Sequence, residues 1–479
     1  MDVAATGACS YMSGHGLPHP GKRVLMASYW LAPSCSHYGT CSHEVISRDA
    51  RSIESAVTAI TPTYREQPGP SYERSITQAP SLFTMKSTLG ILGTALSLLV
   101  SLAAALPEGE RSEGTSHAKR QISSIVKGTP PGFAYAATGG GTATPVYPTT
   151  VAQLEAYLTS DEPQNIVISG TFNFAGTEGT TTYQACDPYS CAHTSGGQGL
   201  LNTLNGCGSQ SLYSASIDVA AYVGIYVKSD KTLVGVNGAT LNGKGLRFVN
   251  GVSNIIIQNI KITNLNPQYV WGGDAITLSG VDTIWIDHVT TSSLGRQHYS
   301  FGPDQSKYIT ISNSFIDGRT SYSATCDGHT YWGLELVGEG DEIFFYKNYV
   351  YYTSGRSPAL SGSTLLHAVN NVWSTNAGHL LEGGPNSFGL YEGNYFLNVP
   401  TVQSGFTGTL FASGSSVASQ CQQYIGRSCV PNSYSGSGSL DSFTSSSWLT
   451  RLSNRGYLVV PESASSIASS VPASAGNTL

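Results

Sequence analysis

Residues 255–259 read Ile255-Ile256-Ile257-Gln258-Asn259, a short apolar run that ends at an asparagine. The pattern returns at steps of 28, 26, 35, 23 and 23 residues, each time ending at an Asn or an Asp. Its copies are Ile284-Trp285-Ile286-Asp287, Ile309-Thr310-Ile311-Ser312-Asn313, Ile343-Phe344-Phe345-Tyr346-Lys347-Asn348, Leu365-Leu366-His367-Ala368-Val369-Asn370-Asn371 and Leu390-Tyr391-Glu392-Gly393-Asn394. Strand-like units that recur every ~20 to 50 residues indicate a solenoid, a propeller or an array.

A parallel β-helix explains this repeat best. Each coil would contribute short parallel strands around a stack of Ile, Val and Leu. An Asn at each corner can adopt the left-handed backbone conformation at little cost, and its amide can bond the Asn of the next coil. We therefore predict an all-β fold, a right-handed single-stranded parallel β-helix with long loops forming a cleft on one side. A propeller would need about 40 residues per blade and tight hairpins, whose Asn-Gly signature is largely missing from the core stretch. Ordinary strand-end turns are the other interpretation of the Asn positions.

The composition favours a secreted, β-rich protein. Only 11% of the 479 residues are charged, whereas 54 are glycine and 27 are tyrosine. The formal net charge of −6 argues against a nucleic-acid-binding protein, which would need a positively charged surface. The sequence has no Cys-x-x-Cys pair and no His/Cys cluster with metal-ligand spacing, so it predicts no metal site.

Residues 85–120 have the features of a secretory leader. Met85-Lys86 precede an apolar run that holds Ala103-Ala104-Ala105, which predicts a signal peptide over residues 85–105. Lys119-Arg120 then predicts a dibasic cleavage site that closes a pro-segment over residues 106–120. An internal membrane anchor is the alternative, since ~20 apolar residues can span a bilayer. Residues 1–84 lack strand or helix periodicity, and we interpret them as a disordered, non-native upstream extension.

The remaining chain holds 359 residues, since 479 − 120 = 359, and carries a net charge of 14 − 21 = −7. We predict the folded domain over residues 121–460, with one short helix from Thr149 to Tyr157. Residues 461–479, rich in Ser and Ala, are predicted to form a flexible tail. This region also holds six cysteines, an even number that suggests disulfides in a secreted chain. Their spacing alone leaves the pairing open.

Three stretches carry the candidate chemistry: Tyr352-Thr353-Ser354-Gly355-Arg356-Ser357-Pro358, Trp271-Gly272-Gly273-Asp274-Ala275-Ile276 and Trp285-Ile286-Asp287-His288. Together they resemble the active-site face of the fungal pectin lyases of polysaccharide lyase family 1. The resemblance covers roughly residues 136–460 and implies eliminative cleavage of homogalacturonan. It also implies the disulfides Cys186–Cys207, Cys191–Cys326 and Cys421–Cys429. Asp287 and His288 are interpreted as structural residues of the strand ladder.

The resemblance assigns roles to three charged residues. Arg356 would be the catalytic base that removes the proton at carbon 5 of a galacturonate unit. Because arginine is normally protonated, this role needs a strongly lowered pKa, which we expect from burial beside other cations. Arg296 stands where pectate lyases carry calcium-binding aspartates, and Asp274 would hold Arg296 by charge-assisted hydrogen bonds. A guanidinium cannot ligate calcium, so we expect neither a metal nor another cofactor. The competing interpretations are that Arg356 only clamps a carboxyl group and that Arg296 only braces the coil.

The candidate platforms for sugar rings are Trp271, Trp332 and Tyr331, because aromatic faces stack on pyranoses. The sequence departs from the family at two places. Ala359 stands three residues after Arg356, where the relatives carry a lysine, and the loop from Cys186 to Cys207 lacks their tryptophan. These differences bear on catalytic strength and affinity more than on the type of reaction.

The sequence as a whole predicts a secreted, extracellular, monomeric, endo-acting pectin lyase. Its substrate would be methyl-esterified homogalacturonan, with no nucleic-acid partner and no membrane association after removal of the signal peptide. Two alternatives remain: a calcium-dependent pectate lyase, and an inactive β-helix module that binds pectin. Chelator sensitivity would indicate the first, and binding without product formation would indicate the second.

Overall fold

The structure is a computed structural model that describes residues 121–453 and 457–479. The predictions for residues 1–120 fall outside this range. Within it lie 29 β-strands, nearly all of them paired in parallel, so the prediction of an all-β parallel β-helix is confirmed. No helix in the described part of the chain combines the length and apolarity needed to cross a membrane.

The strands build three faces of one solenoid, named faces A, B and C, and one small flanking sheet. The long strands β2 (Gln164–Asn173) and β7 (Lys231–Asn242) run through faces A and B, and β1 (Pro145–Val146) pairs with β2. Face A continues with β9 (Ser253–Gln258), β13 (Asp282–Asp287), β16 (Lys307–Ser312), β19 (Glu342–Tyr346), β22 (Leu365–Val369), β25 (Phe388–Glu392) and β28 (Thr409–Ala412). Face B continues with β10 (Lys261–Leu265), β14 (Thr290–Leu294), β17 (Phe315–Asp317), β20 (Tyr349–Tyr351), β23 (Val372–Ser374), β26 (Tyr395–Leu397) and β29 (Ser433–Ser435). Face C holds β6 (Ile225–Tyr226), β8 (Leu246–Val249), β12 (Ile276–Ser279), β15 (Tyr299–Phe301), β18 (Leu334–Leu336), β21 (Ala359–Leu360), β24 (His379–Gly383) and β27 (Thr401–Gln403). The flanking sheet consists of β3 (Thr180–Cys186), β4 (Gly199–Leu201), β5 (Tyr213–Asp218) and β11 (Tyr269–Val270).

The register of face A explains the apolar repeat. Ile284 pairs with Ile255 on one side and with Ile309 on the other, and Ile309 pairs with Ile343. All four side chains are buried in one core cluster. Since alternate residues of a strand face opposite sides, each coil adds its isoleucines to columns that run along the interior.

In the coils of β19 and β22, the corner and ladder functions predicted for a single Asn belong to two consecutive residues. The left-handed backbone occurs at Lys347 and Asn370, with φ of 52° and 53°. The next residue in each case, Asn348 or Asn371, is the buried ladder residue. The backbone N–H of Asn348 donates to Asn371 Oδ1 at 2.9 Å, and that of Asn371 donates to Asn394 Oδ1 at 2.8 Å. The expectation of one Asn in both roles was therefore wrong for these two coils, although the ladder itself is present. Asn313, with a φ of 47°, does combine both roles, since its Nδ2 atom donates to Asp287 Oδ1 of the preceding coil.

The Asp287–His288 pair lies in the strand ladder, as predicted. Asp287 is buried and accepts hydrogen bonds from Ser312 Oγ at 2.7 Å and Asn313 Nδ2 at 2.8 Å. His288 has a φ of 51° and contacts Asp287 through Nδ1 at 2.8 Å. Both residues therefore hold a corner of the solenoid.

The helices are short and peripheral. They are α1 (Val151–Thr159), α2 (Val219–Val223), α3 (Gln422–Ile425) and α4 (Ala464–Ser474), with 3₁₀ turns at Gly132–Ala134, His193–Ser195, Thr203–Asn205, Ala418–Cys421 and Ser447–Leu452. Thr150 caps α1 by accepting a hydrogen bond from the backbone of Gln153. Leu154 and Leu158 of this helix are buried in the main core, so the predicted short helix is confirmed.

The carboxyl-terminal segment corrects the prediction of a flexible tail over residues 461–479. Helix α4 buries Ile467 and Val471 against Val372 of face B. Farther along, the backbone of Leu479 donates to Asn259 Oδ1 at 3.0 Å. The Ser-rich composition is confined to the exposed face of this helix, and its apolar residues pack on the solenoid.

Residues 121–453 and 457–479 contain three disulfides: Cys186–Cys207, Cys191–Cys326 and Cys421–Cys429. These are the pairs that the family resemblance implies. The first two tie the flanking sheet and its loop to the segment before β18. They therefore fix the wall beside the candidate active site.

Candidate active site

Face C presents one row of outward side chains. Strand pairing places its members in register: Arg247, Thr277, Ser300, Glu335, Ala359 and Glu382. Their neighbours in the chain, such as Leu334 and Leu336 around Glu335, belong to the apolar core. The row therefore faces away from the core, yet Glu335 and Glu382 are only 6% and 2% exposed.

Arg296 and Asp274 form a two-pronged ion pair at the edge of face C. Asp274 precedes β12 and Arg296 precedes β15, the next strand of the face. Arg296 Nε lies 3.0 Å from Asp274 Oδ1, and Nη2 lies 2.8 Å from Oδ2. Burial alone would raise the pKa of Asp274, but the charge and hydrogen bonds of Arg296 hold it below its usual value. Both groups are therefore charged, as expected for an aspartate that orients an arginine.

Trp271 covers the Arg296 guanidinium. The ring centroid lies 4.0 Å from the central guanidinium carbon, which is a cation–π contact. Trp271 has a φ of 70°, which is rare for a bulky residue. Its ring is half-buried against the flanking sheet, with Tyr213 and Tyr269 nearby. The predicted platform thus lies at the site and shields the charge of Arg296 from water.

Arg356 lies two coils beyond Arg296, in the segment between β20 and β21. Its Nη1 atom donates to Glu335 Oε1 at 2.7 Å, and its Nε atom lies 3.4 Å from Glu382 Oε1. The side chain is 3% exposed, and the residue has a φ of 41°. A left-handed backbone at a non-glycine residue is uncommon, and here it directs the guanidinium between the two glutamates.

Glu335 joins the two arginines. Its Oε2 atom lies 3.4 Å from Arg296 Nη2, while Oε1 accepts from Arg356. Asp274, Arg296 and Arg356 are therefore brought together on one side of the solenoid by a carboxylate that the sequence analysis missed. Glu382 was missed as well.

Comparison with known proteins shows the family of the chain. The family model described as pectate lyase matches residues 194–476. The probable pectin lyase E of Aspergillus niger is 66% identical over 365 residues, which cover 76% of this chain and 98% of that protein. The chain belongs to the pectate lyase family, among its fungal pectin lyases.

Other relatives in the family are more distant. The probable pectin lyase B of Aspergillus fumigatus is 51% identical, over 66% of this chain and 85% of its own length. Pectin lyase A of Emericella nidulans is 48% identical, over 74% of this chain and 94% of its own length. Among solved structures, a pectate lyase from Bacillus sp. N165 has a TM-score of 0.47 and 20% identity, over 72% of this chain and 98% of that chain.

The surroundings of Arg356 differ from those we predicted. Burial by itself would lower its pKa, but the carboxylates of Glu335 and Glu382 outweigh burial and raise the pKa above its ordinary value. Arg296 opposes this shift only weakly. The expectation that nearby cations lower the pKa of Arg356 was therefore wrong, because two carboxylates lie closest to its guanidinium group. In this arrangement Arg356 is a cation.

The two remaining aromatic candidates have different positions. Tyr331 is 7% exposed, and its hydroxyl donates to Glu382 Oε2 at 2.8 Å. We therefore correct its predicted role from a sugar platform to a brace for Glu382. Trp332 is half-buried, lies 5.1 Å from the guanidinium carbon of Arg356, and donates to Gln198 Oε1 at 2.8 Å. Trp332 and Trp271 thus flank the two arginines.

The two departures from the family have structural consequences. Ala359 pairs with Glu335 and with Glu382, so a small side chain stands between the glutamates of the row. The disulfide-closed loop contributes Gln198, whose Nε2 donates to the backbone oxygen of Gly295 at 2.8 Å. This amide links Trp332 to the segment that carries Arg296, and it gives the loop a polar contact with the site.

Proposed function

We propose that the chain is a pectin lyase that cleaves methyl-esterified homogalacturonan within the chain by β-elimination. The observation that carries this proposal is the convergence of Arg296 and Arg356 on one carboxylate, Glu335. The names of the relatives and their high identity support the same activity. A site with two fixed guanidinium groups suits a reaction in which negative charge develops on a carbonyl oxygen.

In this reaction the C5–H bond breaks first, and the proton passes to a base. Its electron pair is held as an enolate and then forms the C4–C5 double bond as the C4–O bond breaks. The leaving oxygen takes up one proton, which the protonated base returns directly or through water. Arg296 and Arg356 would donate to the ester carbonyl as it becomes an enolate oxygen. Arg356 remains our proposed proton acceptor, and this role requires its pKa to fall in the substrate complex, since Glu335 and Glu382 raise it in the free protein.

The donor set does not fit calcium, the ion that the resemblance associates with pectate lyases. Calcium takes six to eight oxygen ligands, mostly carboxylates and carbonyls. Both oxygens of Asp274 already accept hydrogen bonds from Arg296, and Glu335 and Glu382 both contact Arg356. We therefore assign no step to a metal and propose a metal-independent enzyme that prefers a neutral ester.

We also propose that the enzyme is secreted and acts as a monomer. The leader-like residues 85–120 and the three disulfides support secretion, because disulfides persist in oxidising compartments. The mass of the purified mature chain and its sedimentation in solution would test both points. A mature chain that retains residues 85–105, or a stable dimer, would contradict them.

The function is tested by following the ultraviolet absorbance of the unsaturated product in excess chelator. We expect product to form on highly esterified pectin and its viscosity to fall early, as endo-type cleavage requires. Activity that needs added calcium and de-esterified substrate would instead show a pectate lyase. Binding of pectin without any product would show an inactive module.

The role of Arg356 is tested by Arg356→Lys. We expect kcat/KM on esterified pectin to fall at least ~100-fold, because a lysine cannot reproduce the planar fork of donors. If Arg356 also accepts the proton, the residual activity will persist to lower pH than in the wild type. The matched control is Arg319→Lys, since Arg319 is exposed and pairs with Asp317 outside the site. Wild-type activity in Arg356→Lys would contradict the assignment.

A further inference from the structure

We propose that Glu335 is a specificity residue that excludes free galacturonate from this site, and that the small Ala359 beside it preserves this effect. The inference rests on the proposed pectin lyase function and concerns the substrate class accepted there. Glu335 lies between the two arginines. The catalytic role of the arginines does not by itself require a carboxylate at this position.

The charges of the site cancel. Three arginines, Arg247, Arg296 and Arg356, lie along face C with three carboxylates, Asp274, Glu335 and Glu382. These six residues are formally neutral together. Because they are buried or nearly so, their charges are poorly screened and act strongly on one another. The paired arginines are therefore not a net anion-binding site.

The donors that remain suit a neutral acceptor. Arg296 uses Nε and Nη2 for Asp274, Ser300 and Glu335, and within the described residues its Nη1 atom has no hydrogen-bond partner. Arg356 donates from Nη1 to Glu335 and places Nε near Glu382. Its Nη2 atom, like Nη1 of Arg296, has no hydrogen-bond partner within the described residues. An ester carbonyl can accept from these N–H groups without bringing a charge.

A free carboxylate placed on the same donors would lie next to the carboxylate of Glu335. Two like charges in a poorly solvated site repel each other, whereas a methyl ester has no such penalty. A cation at position 359 would offset Glu335, because Ala359 is its direct cross-strand neighbour. With Ala359 in place, the negative charge of Glu335 is left to act against an anionic substrate.

The test is Glu335→Gln, which removes the charge and keeps the shape. We expect the ratio of kcat/KM on low-ester pectin to that on high-ester pectin to rise at least about tenfold relative to wild type. Inhibition by unesterified trigalacturonate should strengthen by a similar factor. The control is Glu339→Gln, which removes one charge from an exposed residue of the same chain and should leave both values unchanged.

A second pair of variants covers the case in which Glu335→Gln fails to fold. Ala359→Lys adds a cation beside Glu335 and should shift the same ratio in the same direction, whereas the size-matched Ala359→Met should not. A proportional loss on both pectins in Glu335→Gln would show a positioning residue and overturn the proposal. Equal ratios in Ala359→Lys and Ala359→Met would also overturn it. A wild type without activity on esterified pectin would instead refute the proposed function.

Discussion

His298 lies two residues after Arg296 and is 1% exposed. Its Nδ1 atom lies 2.7 Å from Thr291 Oγ1 inside the solenoid, and burial lowers its pKa from 6.5 to about 4. The folded protein thus keeps this imidazole neutral at pH values where the unfolded chain would protonate it. A buried neutral histidine therefore underlies the segment that presents Arg296 to the substrate.

This difference makes stability depend on pH. The contribution of His298 is fully present above pH 6.5 and is lost as the pH falls toward 4, because only the unfolded state takes up the proton in that window. We expect the free energy of unfolding to drop by up to about 3 kcal/mol over this range from this residue alone. In His298→Gln that part of the slope should disappear. Urea unfolding at several pH values would measure it, and an unchanged slope in the variant would contradict the prediction.

The sequence predicted three of the charged residues at the site and missed the two glutamates for a physical reason. Asp274, Arg296 and Arg356 lie in stretches that resemble a known family, whereas Glu335 is an acid in a three-residue strand. Its meaning comes from register, because Ser300, Glu335 and Ala359 align only when the coils are stacked. The steps between coils vary from 23 to 35 residues, so spacing alone does not give that alignment. Glu335 can be recognised as a site residue only when the face C strand of each coil is known.

At the level of the elements, the ladder of asparagines is the most ordered polar feature. Asn371 is fully buried, accepts from the backbone N–H and from Nδ2 of Asn348, and donates to the backbone oxygen of Phe345 at 2.8 Å. Its amide thus bonds the backbone of the preceding coil twice, and its Nδ2 atom also donates to Asn394 Oδ1 of the following coil at 3.1 Å. Leaving a buried polar group without its partner destabilises a protein by more than the hydrogen bond itself contributes. Each buried asparagine of the ladder therefore fixes the spacing of the coils beside it.

We therefore expect Asn371→Ala to lower the free energy of unfolding by roughly 2–4 kcal/mol. The backbone amide of Asn348 would be left without its acceptor, and the lost side chain would leave a cavity. The matched control is Asn173→Ala, because Asn173 accepts from Asn242 in a similar amide pair that is exposed. Its expected loss is below about 0.5 kcal/mol. Denaturant unfolding of both variants measures the difference, and equal losses would contradict a buried ladder.

The tail shows where composition misleads. Ala464, Ile467 and Val471 are spaced by three and four residues, the period of one helix face, and all three are buried. The serines between them suggested a disordered segment, because composition does not register which face a residue occupies. The main coils were predictable for the opposite reason: their apolar runs repeat six times, so the signal accumulates.

For the whole molecule, the segment after residue 460 joins coils that do not touch each other. The backbone of Glu462 donates to Asn370 Oδ1 at 2.8 Å, that of Gly476 donates to the oxygen of Asn313 at 2.8 Å, and Leu479 bonds Asn259. These three asparagines are corners that follow β22, β16 and β9. The segment therefore crosses five successive coils along the corners between faces A and B.

We expect Ile467→Ala to destabilise the protein by about 2–4 kcal/mol, since it removes a fully buried side chain from the contact between α4 and face B. Thermal or denaturant unfolding followed by circular dichroism would measure this loss. The control is Ser470→Ala on the exposed face of the same helix, which should change stability by less than ~0.5 kcal/mol. Similar values for the two variants would show that the helix is not bound to the solenoid.

The segment after residue 460 affects how the solenoid unfolds. In a repeat array each unit contacts only its neighbours, so heat or a pulling force can peel the units from one end in succession. Here the segment after residue 460 ties the corner at Asn259 to the corner at Asn370, so the coils between them cannot leave singly while it is attached. Detachment of this segment must then come before the coils separate. We expect the solenoid to unfold in one cooperative transition instead of a series of partial ones.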